Sequence, residues 1–351
     1  MEAGSPANET KPTGRPTMAD VARLAGVTPG TVSRALAGSP LVTAETRAKV
    51  DAAVRATGYV IHHAARNLRE NRSRQILVAL PNIANPFFSG VVEAIEETAQ
   101  AADYGVLIGN TAHRPDGERK IARNLLTGAV DGLLLNTGRV PAELVAFPDI
   151  ARKVVAIAVP ILGAGVTSVA IDQAAAAGEA VTYLTSLGHR VVAHIGGPPS
   201  VTSEGRLNGY RTALLAVGVE PDEGLIAFGD NTIPSGQAAA RRLLDRRDRP
   251  TAIFCANDEM AIGAIIVAKE MGLSVPDDIS IVGFDDVEIA AFYDPPLTTI
   301  HQPRREIGRT GMKELLALLT GERRRTGRRI VLDHALVVRA STARPRQVAG
   351  R

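Results

Sequence analysis

TMADVARLAGVTPGTVSRALAGSPLVTAETRAKVDAAVRATG, residues 17–58, spells three short helices in local chemistry. Thr17 with Asp20 three positions on has capping-box spacing, in which each side chain satisfies a backbone N–H that the first turn leaves open. This predicts a first helix with Val21, Ala22, Leu24 and Ala25 on its apolar face. Gly26 and Val27 form a turn too tight for a long loop. Thr28 then caps a second helix, whose first position, Pro29, needs no N–H, and which runs to about Leu36. Thr43 caps a third, with Glu45 favouring the positive end of the helix dipole and Gly58 as the stop.

Two short helices joined by a glycine-containing turn and backed by a third make a helix-turn-helix, whose second helix can enter a major groove. A small three-helix bundle that binds nothing is the alternative. Charge argues against it: residues 1–75 carry 11 Lys/Arg against 6 Asp/Glu, while the remainder has 29 against 31. The net charge of +3 therefore conceals a basic head on a slightly acidic body, which suits phosphate contacts at one end only. DVARLAGVTPGTVSRAL (20–36) followed by VTAETRAKVDAAVRATGY (42–59) resembles the head of the LacI/GalR family of bacterial transcription regulators. Further matches run through to RAST at 339–342, so the resemblance spans nearly the whole chain.

The resemblance implies an α/β protein with an N-terminal all-α helix-turn-helix head and a two-lobed, periplasmic-binding-protein-like core of doubly wound parallel sheets. The expected divisions are a disordered extension (1–16), the head (17–61), a hinge (62–74), the core (75–342) and a tail (343–351). Lobe 1 takes about 75–172 and 301–331, lobe 2 about 173–300 and 332–342.

Within the head, Pro29, Gly30, Thr31, Ser33 and Arg34 begin the recognition helix, the end that meets base edges in this docking geometry. Arg34 is the candidate for a bidentate guanine contact, with plain phosphate neutralisation as the alternative. The resemblance assigns operator choice to positions 29 and 30. Pro and Gly offer no side-chain hydrogen bond there, which shifts readout towards Thr31, Ser33 and Arg34. Thr28, Thr43, Arg47 and Tyr59 are phosphate contacts or packing residues.

HHAARNLRENRSR, 62–74, places Ala64, Ala65 and Leu68 on one helical face ringed by Arg66, Arg69, Arg72 and Arg74. So short a helix is marginal alone and needs DNA or a partner copy to persist. By resemblance it is the hinge helix, with Ala65 and Leu68 at DNA and Leu68 wedged into the minor groove at the operator centre. A solvated basic linker is the alternative. Val60-Ile61-His62 stands where the family often has a Pro-Asn pair.

From Gln75 onward short apolar runs alternate with amphipathic stretches. ILVAL (76–80) precedes a helix over 86–104, then VLIG, a helix near 116–127 and GLLLN (132–136). After Asp172 the alternation repeats, with helices at 174–187, 204–216, 234–247 and 259–271 between VVAHIGG, LIAFG, AIFCA and ISIVGF. A helix over 303–319 and strands near 330–332 and 335–339 close the chain. The pattern predicts parallel strands with crossover helices in two wound sheets and a cleft between them.

Ligands of open parallel sheets bind beyond the carboxyl ends of the strands. Asp172 follows VTSVAI, Asn257 follows AIFCA, Asp285 follows ISIVGF, and Arg206 opens RLNGYRTAL. Two carboxylates, a guanidinium fork and an amide can hold a polyhydroxylated molecule through paired hydrogen bonds, and these positions match the family's inducer contacts. Taken singly, Asp258 or Asp285 can cap a helix and Arg206 can pair with an acid. Phe87, in NPFF, presents a ring to a sugar or base, or packs in the core. In related regulators an aromatic often stands at Asn231, and the chain has no tryptophan. Ser200 stands where purine-responsive members carry a base-recognising Arg. ENRSRQILVALPNIANPFFSG (70–90) resembles the branch that answers to a pyrimidine nucleoside. The expected effector is a carbohydrate, with a nucleoside second.

A transport sugar-binding protein would share the core but carry a signal segment in place of this head. An enzyme finds little support: no G-x-x-x-x-G-K-[ST] loop occurs, Gly163-Ala164-Gly165 lacks the third glycine of the dinucleotide fingerprint, and strand-end carboxylates are a weak hydrolytic signal. No catalytic residue, metal or cofactor is assigned. The single cysteine, Cys255, excludes a disulfide framework and fits a reducing cytoplasm. The uncharged run Val154–Ile171 is broken by Pro160, Gly163 and Gly165, so it is strand, loop, strand and no membrane span. Arg323, Arg324, Arg325, Arg328 and Arg329 are expected in a solvated loop, with a second nucleic-acid site as the alternative. The expected partners are double-stranded operator DNA, a small-molecule effector and a second copy in a homodimer. The tail ARPRQVAGR lacks leucine heptads, which argues against a tetramer through a terminal coiled coil.

Overall fold

The computed structural model describes residues 16–60, 72–112, 114–147, 149–161, 165–323 and 326–346. The N-terminal extension, most of the hinge with Ala65 and Leu68, and the end of the tail lie outside the described residues. The chain divides after Asn71 into two compact units.

The first unit holds α1 (Met18–Ala25), α2 (Pro29–Leu36) and α3 (Ala44–Thr57). Thr17 and Asp20 close the capping box reciprocally: the Thr17 N–H donates to Asp20 at 3.0 Å and the Asp20 N–H to Thr17 Oγ1 at 3.4 Å. Thr28 and Thr43 cap α2 and α3 by accepting from the N–H of Thr31 and Thr46. Gly26 and Gly58 end α1 and α3 with φ of 68° and 65°, a left-handed conformation that costs an L side chain energy. Val21, Ala22, Val32, Ala35, Val50, Ala53 and Tyr59 form the core. Leu24 is 59% exposed. At about 3.6 residues per turn Val21, Ala22 and Ala25 fill the inward stripe of α1, and Leu24 falls beside it.

Arg47 reaches from α3 to the end of α2. Its Nη1 donates to Ala35 O at 2.7 Å and its Nη2 to Ser39 O at 2.9 Å, tying α3 to the last turn of α2 and the loop after it. Arg47→Ala is expected to cost the head about 2 kcal/mol. Amide hydrogen exchange in α2 and α3 should accelerate, with operator and random DNA binding weakened alike. Unchanged exchange would return Arg47 to a phosphate contact.

The second unit contains two six-stranded sheets. In chain order its elements begin with β1 (Gln75–Leu80), α4 (Phe87–Gln100), β2 (Gly105–Asn110), α5 (Pro115–Leu126), β3 (Gly132–Leu135), α6 (Ala142–Val145), β4 (Val154–Ile157) and β5 (Thr167–Ile171). There follow α7 (Gln173–Ser186), β6 (Val192–Gly196), α8 (Val201–Ala216), β7 (Ile226–Phe228), α9 (Ile233–Leu244), β8 (Ala252–Cys255), α10 (Asp258–Glu270) and β9 (Ser280–Asp285). The last are α11 (Glu288–Phe292), β10 (Thr298–His301), α12 (Arg304–Leu319), β11 (Arg329–Leu332) and β12 (Ala335–Val337). The first sheet has the order β11-β5-β4-β3-β1-β2 and the second β12-β10-β9-β8-β6-β7.

Helices cover both faces, so central strands such as Leu77–Leu80, Leu133–Leu135 and Ile281–Phe284 are buried on both sides and read as continuous apolar runs. All pairings are parallel except β10 with β12. That departs from the wholly parallel expectation. β12 arrives from the first sheet through Asp333 and His334 alone, with no helix to carry the chain back, and joins the edge antiparallel.

The chain passes between the sheets after Ile171, after His301 and after Leu332. His301 thus closes a strand of the second sheet and Leu332 one of the first, each a residue across from the expected boundary. In the second lobe α9 and α10 pack closely at glycine: a Cβ on Gly236 would stand 2.5 Å from the Cα and O of Met260.

Candidate functional site: the cleft between the sheets and the exposed face of the head

The carboxyl ends of strands from both sheets meet around a cavity of about 620 Å³. The first sheet supplies Asn82 and Asn85 after β1, Asn136 after β3 and Ala158 after β4, with Phe87 from α4. The second supplies Ser200 capping α8, Arg206 on α8, Asn231 after β7, Asn257 after β8, Asp285 ending β9 and Gln302 after β10.

Arg206 is the most heavily committed of these. Its Nε donates to Gln173 Oε1 at 2.8 Å, its Nη1 to Ala256 O, and its Nη2 lies 3.8 Å from Asp285 Oδ1. Its guanidinium carbon stands 3.8 Å over the Phe284 ring. Burial pulls the Arg206 pKa down, opposed by Asp285 and Asp258. Burial also pushes the Asp285 carboxyl up to about 6, against the pull of Arg206 and of the hydrogen bond from Gln302. Gln302 Nε2 donates to Asp285 at 2.6 Å. Asp285 has φ of 114°, a conformation an L residue holds only when its surroundings impose it.

Asn257 caps α10 by accepting from Met260 N at 3.0 Å, and its amide donates to Asn231 O at 3.0 Å. Asn231, with φ of 68°, closes over Gly197, where a Cβ would stand 2.6 Å from Asn231 Oδ1. Phe87 lines the cavity and is also core, 6% exposed and edge-on to Phe88 with centroids 5.2 Å apart. Phe87 thus packs in the core and borders the cavity.

The cleft therefore brings together Phe87, Arg206, Asn231, Asn257 and Asp285. Asp172 accepts through one carboxylate oxygen from the N–H groups of Ala174 and Ala175 at 3.1 Å and is not among the residues lining this cavity. A carboxylate between a strand and a helix can face a ligand or cap the helix, and here it caps. Asp258 is likewise structural, accepting from the Val287 N–H at 2.8 Å and the Thr299 hydroxyl at 2.5 Å. Burial and the nearby Asp285 raise its pKa well above the usual carboxylate range.

Sequence reasoning missed Gln302 and Asn136. Asn136 directly follows the apolar run GLLL, the same signal that picked out Asn257, whereas Gln302 follows the polar strand TTIH and carries no such signal. Asn136 Nδ2 donates to Ile157 O at 2.8 Å. Gln302 lines the cavity, and its Oε1 is buried without a hydrogen-bond partner.

In the head, Thr28, Pro29, Gly30, Arg34 and Thr43 are exposed, while Thr31 and Ser33 are half-buried. Arg34 Nε lies back on its own helix, 3.2 Å from Gly30 O, leaving its outer nitrogens turned from the core. The Thr28 and Thr43 hydroxyls are engaged in capping. Tyr59 is 8% exposed, and Arg47 donates to two backbone carbonyls.

No helix among the described residues is long and apolar enough to cross a membrane. Residues 17–61 match the model for bacterial regulatory proteins of the lacI family, and residues 181–342 match a periplasmic binding protein-like domain. The HTH-type transcriptional repressor CytR of Escherichia coli (strain K12) is 42% identical over 330 residues, 93% of this chain and 96% of that protein. The Lac repressor dimer bound to operator and the anti-inducer ONPF superposes with a TM-score of 0.84 at 32% identity, covering 94% of this chain and 100% of that one. A complex of the transcriptional regulator CelR with cellobiose gives a TM-score of 0.68 at 33% identity, over 93% and 100%. With a capped helix-turn-helix at one end, a two-sheet core enclosing a polar cleft, and likeness to repressors over nearly its full length, the chain belongs to the lacI family of bacterial transcriptional regulators.

Proposed function

We propose that the chain binds a palindromic operator as a homodimer, and that a small neutral polyhydroxylated molecule in the interlobe cleft changes its operator affinity. The cavity carries this reading. Its wall comes from both lobes, and its polar groups are amides, hydroxyls, the buried Arg206–Asp285 pair, the Arg139–Glu118 pair, Glu204 and Asp230, a set of donors and acceptors that can satisfy many hydroxyls. A carbohydrate fits this set, as the cellobiose-bound relative supports. A nucleoside is the second reading, supported by the Phe87 ring at the cavity and the character of residues 70–90. By linkage, a molecule that prefers one lobe arrangement changes DNA affinity and is itself changed by DNA to the same factor, typically about 5- to 150-fold. The chain acts in the cytoplasm and without catalysis. The hinge, with Leu68 as its apolar wedge, joins head to lobes. Thr31, Ser33 and Arg34 carry base readout.

Mobility shift of the full chain on DNA flanking its own gene, with separate sugars and nucleosides, tests the reading. A specific shift altered by one compound supports it. Absence of specific DNA binding overturns it in favour of a sugar-binding protein. Arg34→Ala is expected to weaken operator binding about 10- to 100-fold, from the usual worth of one bidentate base contact, with a smaller loss on random DNA. Equal losses on both would make Arg34 a phosphate contact.

A further inference from the structure

Asp286 follows the cleft residue Asp285 but is absent from the cavity wall. Its φ is 54°, so two successive non-glycine residues at the end of β9 hold left-handed backbone. Such a pair persists where its surroundings over-determine it. At Asp286 the surroundings are the segments that cross between the lobes. His301 Nδ1 stands 2.9 Å from one carboxylate oxygen, and Arg339 Nη2 donates to the other at 2.7 Å. Arg304 Nη2 donates to the Asp286 carbonyl at 3.0 Å. His301 and Arg304 bracket the second crossing, whose middle residue is Gln302. Arg339 lies just beyond β12, downstream of the third crossing, and its Nη1 also donates to Leu297 O at 2.8 Å.

The two aspartates thus face opposite ways along one short stretch of backbone. Asp285 meets the cleft, with Gln302 as hydrogen-bond donor. Asp286 meets the flanks of the crossing that carries Gln302. A cleft molecule that donates to Asp285 competes with the Gln302 amide for that carboxylate and so changes the bond holding Gln302. The same peptide then moves His301 and Arg304 through Asp286. Arg304 opens α12, which packs on α4 and on β3, β4 and β5 of the first lobe. A response at a distance needs an element whose contacts differ between two states, and this clamp ties the end of β9 to both crossings.

We infer that Asp286, with Arg304 and Arg339, is the positioning cluster that converts occupancy of the cleft into movement of the lobe crossings, and so into a change of operator affinity. The inference rests on the proposed ligand control, yet part of its test needs no ligand.

The test uses the full chain and its operator, with cellobiose and cytidine added separately at millimolar concentration as probes. Asp286→Asn loosens the clamp at its centre. Arg304→Gln loosens it at a helix start, with folding checked by circular dichroism. Without probe, each variant is expected to shift operator affinity at least 10-fold in the same direction, and to speed hydrogen exchange at 301–304 and 335–339 together. With a probe that acts on the wild type, the ratio of operator affinities with and without it should fall to within twofold of one. Probe affinity itself should stay within threefold. Operator affinity and probe ratio both unchanged in folded Arg304→Gln overturns the cluster. A wild type indifferent to both probes, with variants that still shift operator affinity, supports the cluster and counts against the proposed ligand classes alone.

Discussion

Arg206→Ala is expected to abolish the response to any cleft molecule while specific operator binding in its absence persists. Arg206 spans the second lobe's side of the cavity, holding Gln173, the Ala256 carbonyl and Asp285 with one guanidinium. Truncation removes a donor fork from the wall and leaves Asp285 buried without its cation. Deleting one partner of a buried ion pair typically costs about 3 to 5 kcal/mol, because the remaining charge is uncompensated. Asp285 answers by taking a proton, having already been pushed up to about 6 by burial. As a neutral acid it presents a different hydrogen-bond pattern to a hydroxylated molecule. The expected loss of ligand affinity is more than about 100-fold, equivalent to about 2.7 kcal/mol. Calorimetric titration with the effective compound measures it, and mobility shift in parallel shows whether operator binding survives. A retained response would make Arg206 a purely structural member of the lobe. Arg206→Lys keeps the charge without the fork and should recover folding more than response.

Gly236→Ala is expected to destabilise the second lobe by about 3 kcal/mol, the upper end of the cost of inserting a methyl group into a packed interior. A Cβ there would meet the Met260 backbone at 2.5 Å, and backbone cannot rotate aside as a flexible side chain can. Gly263 makes the reciprocal approach to Ile233 O from α10, so both helices lack a Cβ at their contact. Spreading them would lift Asn257, the cap of α10, away from Asn231. Stability should therefore fall together with ligand affinity. Urea denaturation followed by circular dichroism reads the first and titration the second. A cost below about 1 kcal/mol would mean that the helix pair relaxes freely.

Much of this protein was legible because its signals are short-range. Thr17 with Asp20, Thr28, Thr43, Gly26 and Gly58 act within a few residues of themselves, and a helix end is decided by groups that close. The apolar runs that became β1, β3, β8 and β9 are continuous because parallel strands between helix layers need apolar side chains on both faces. The strand-end rule found Asn257 and Asp285, since a wound sheet directs its strand ends towards one cleft.

The residues themselves determined the three capped helices, the alternation of strand and helix, and the polar positions open to a ligand, all through interactions local in the chain. Tertiary structure alone decided what those positions do. Asp172 and Asp285 both end strands with a carboxylate, yet one closes on the first N–H groups of α7 and the other on Arg206 and Gln302. Arg47 and Arg34 are both basic residues of the head, but only Arg47 finds carbonyls 8 and 12 residues away. Gln302 acquired its role because the second crossing carries it to the cavity beside Asp285. β12 turned antiparallel because of where the third crossing delivers it. In each case the deciding partner lies far off in sequence, so the free energy that selects the role exists only once the lobes have packed.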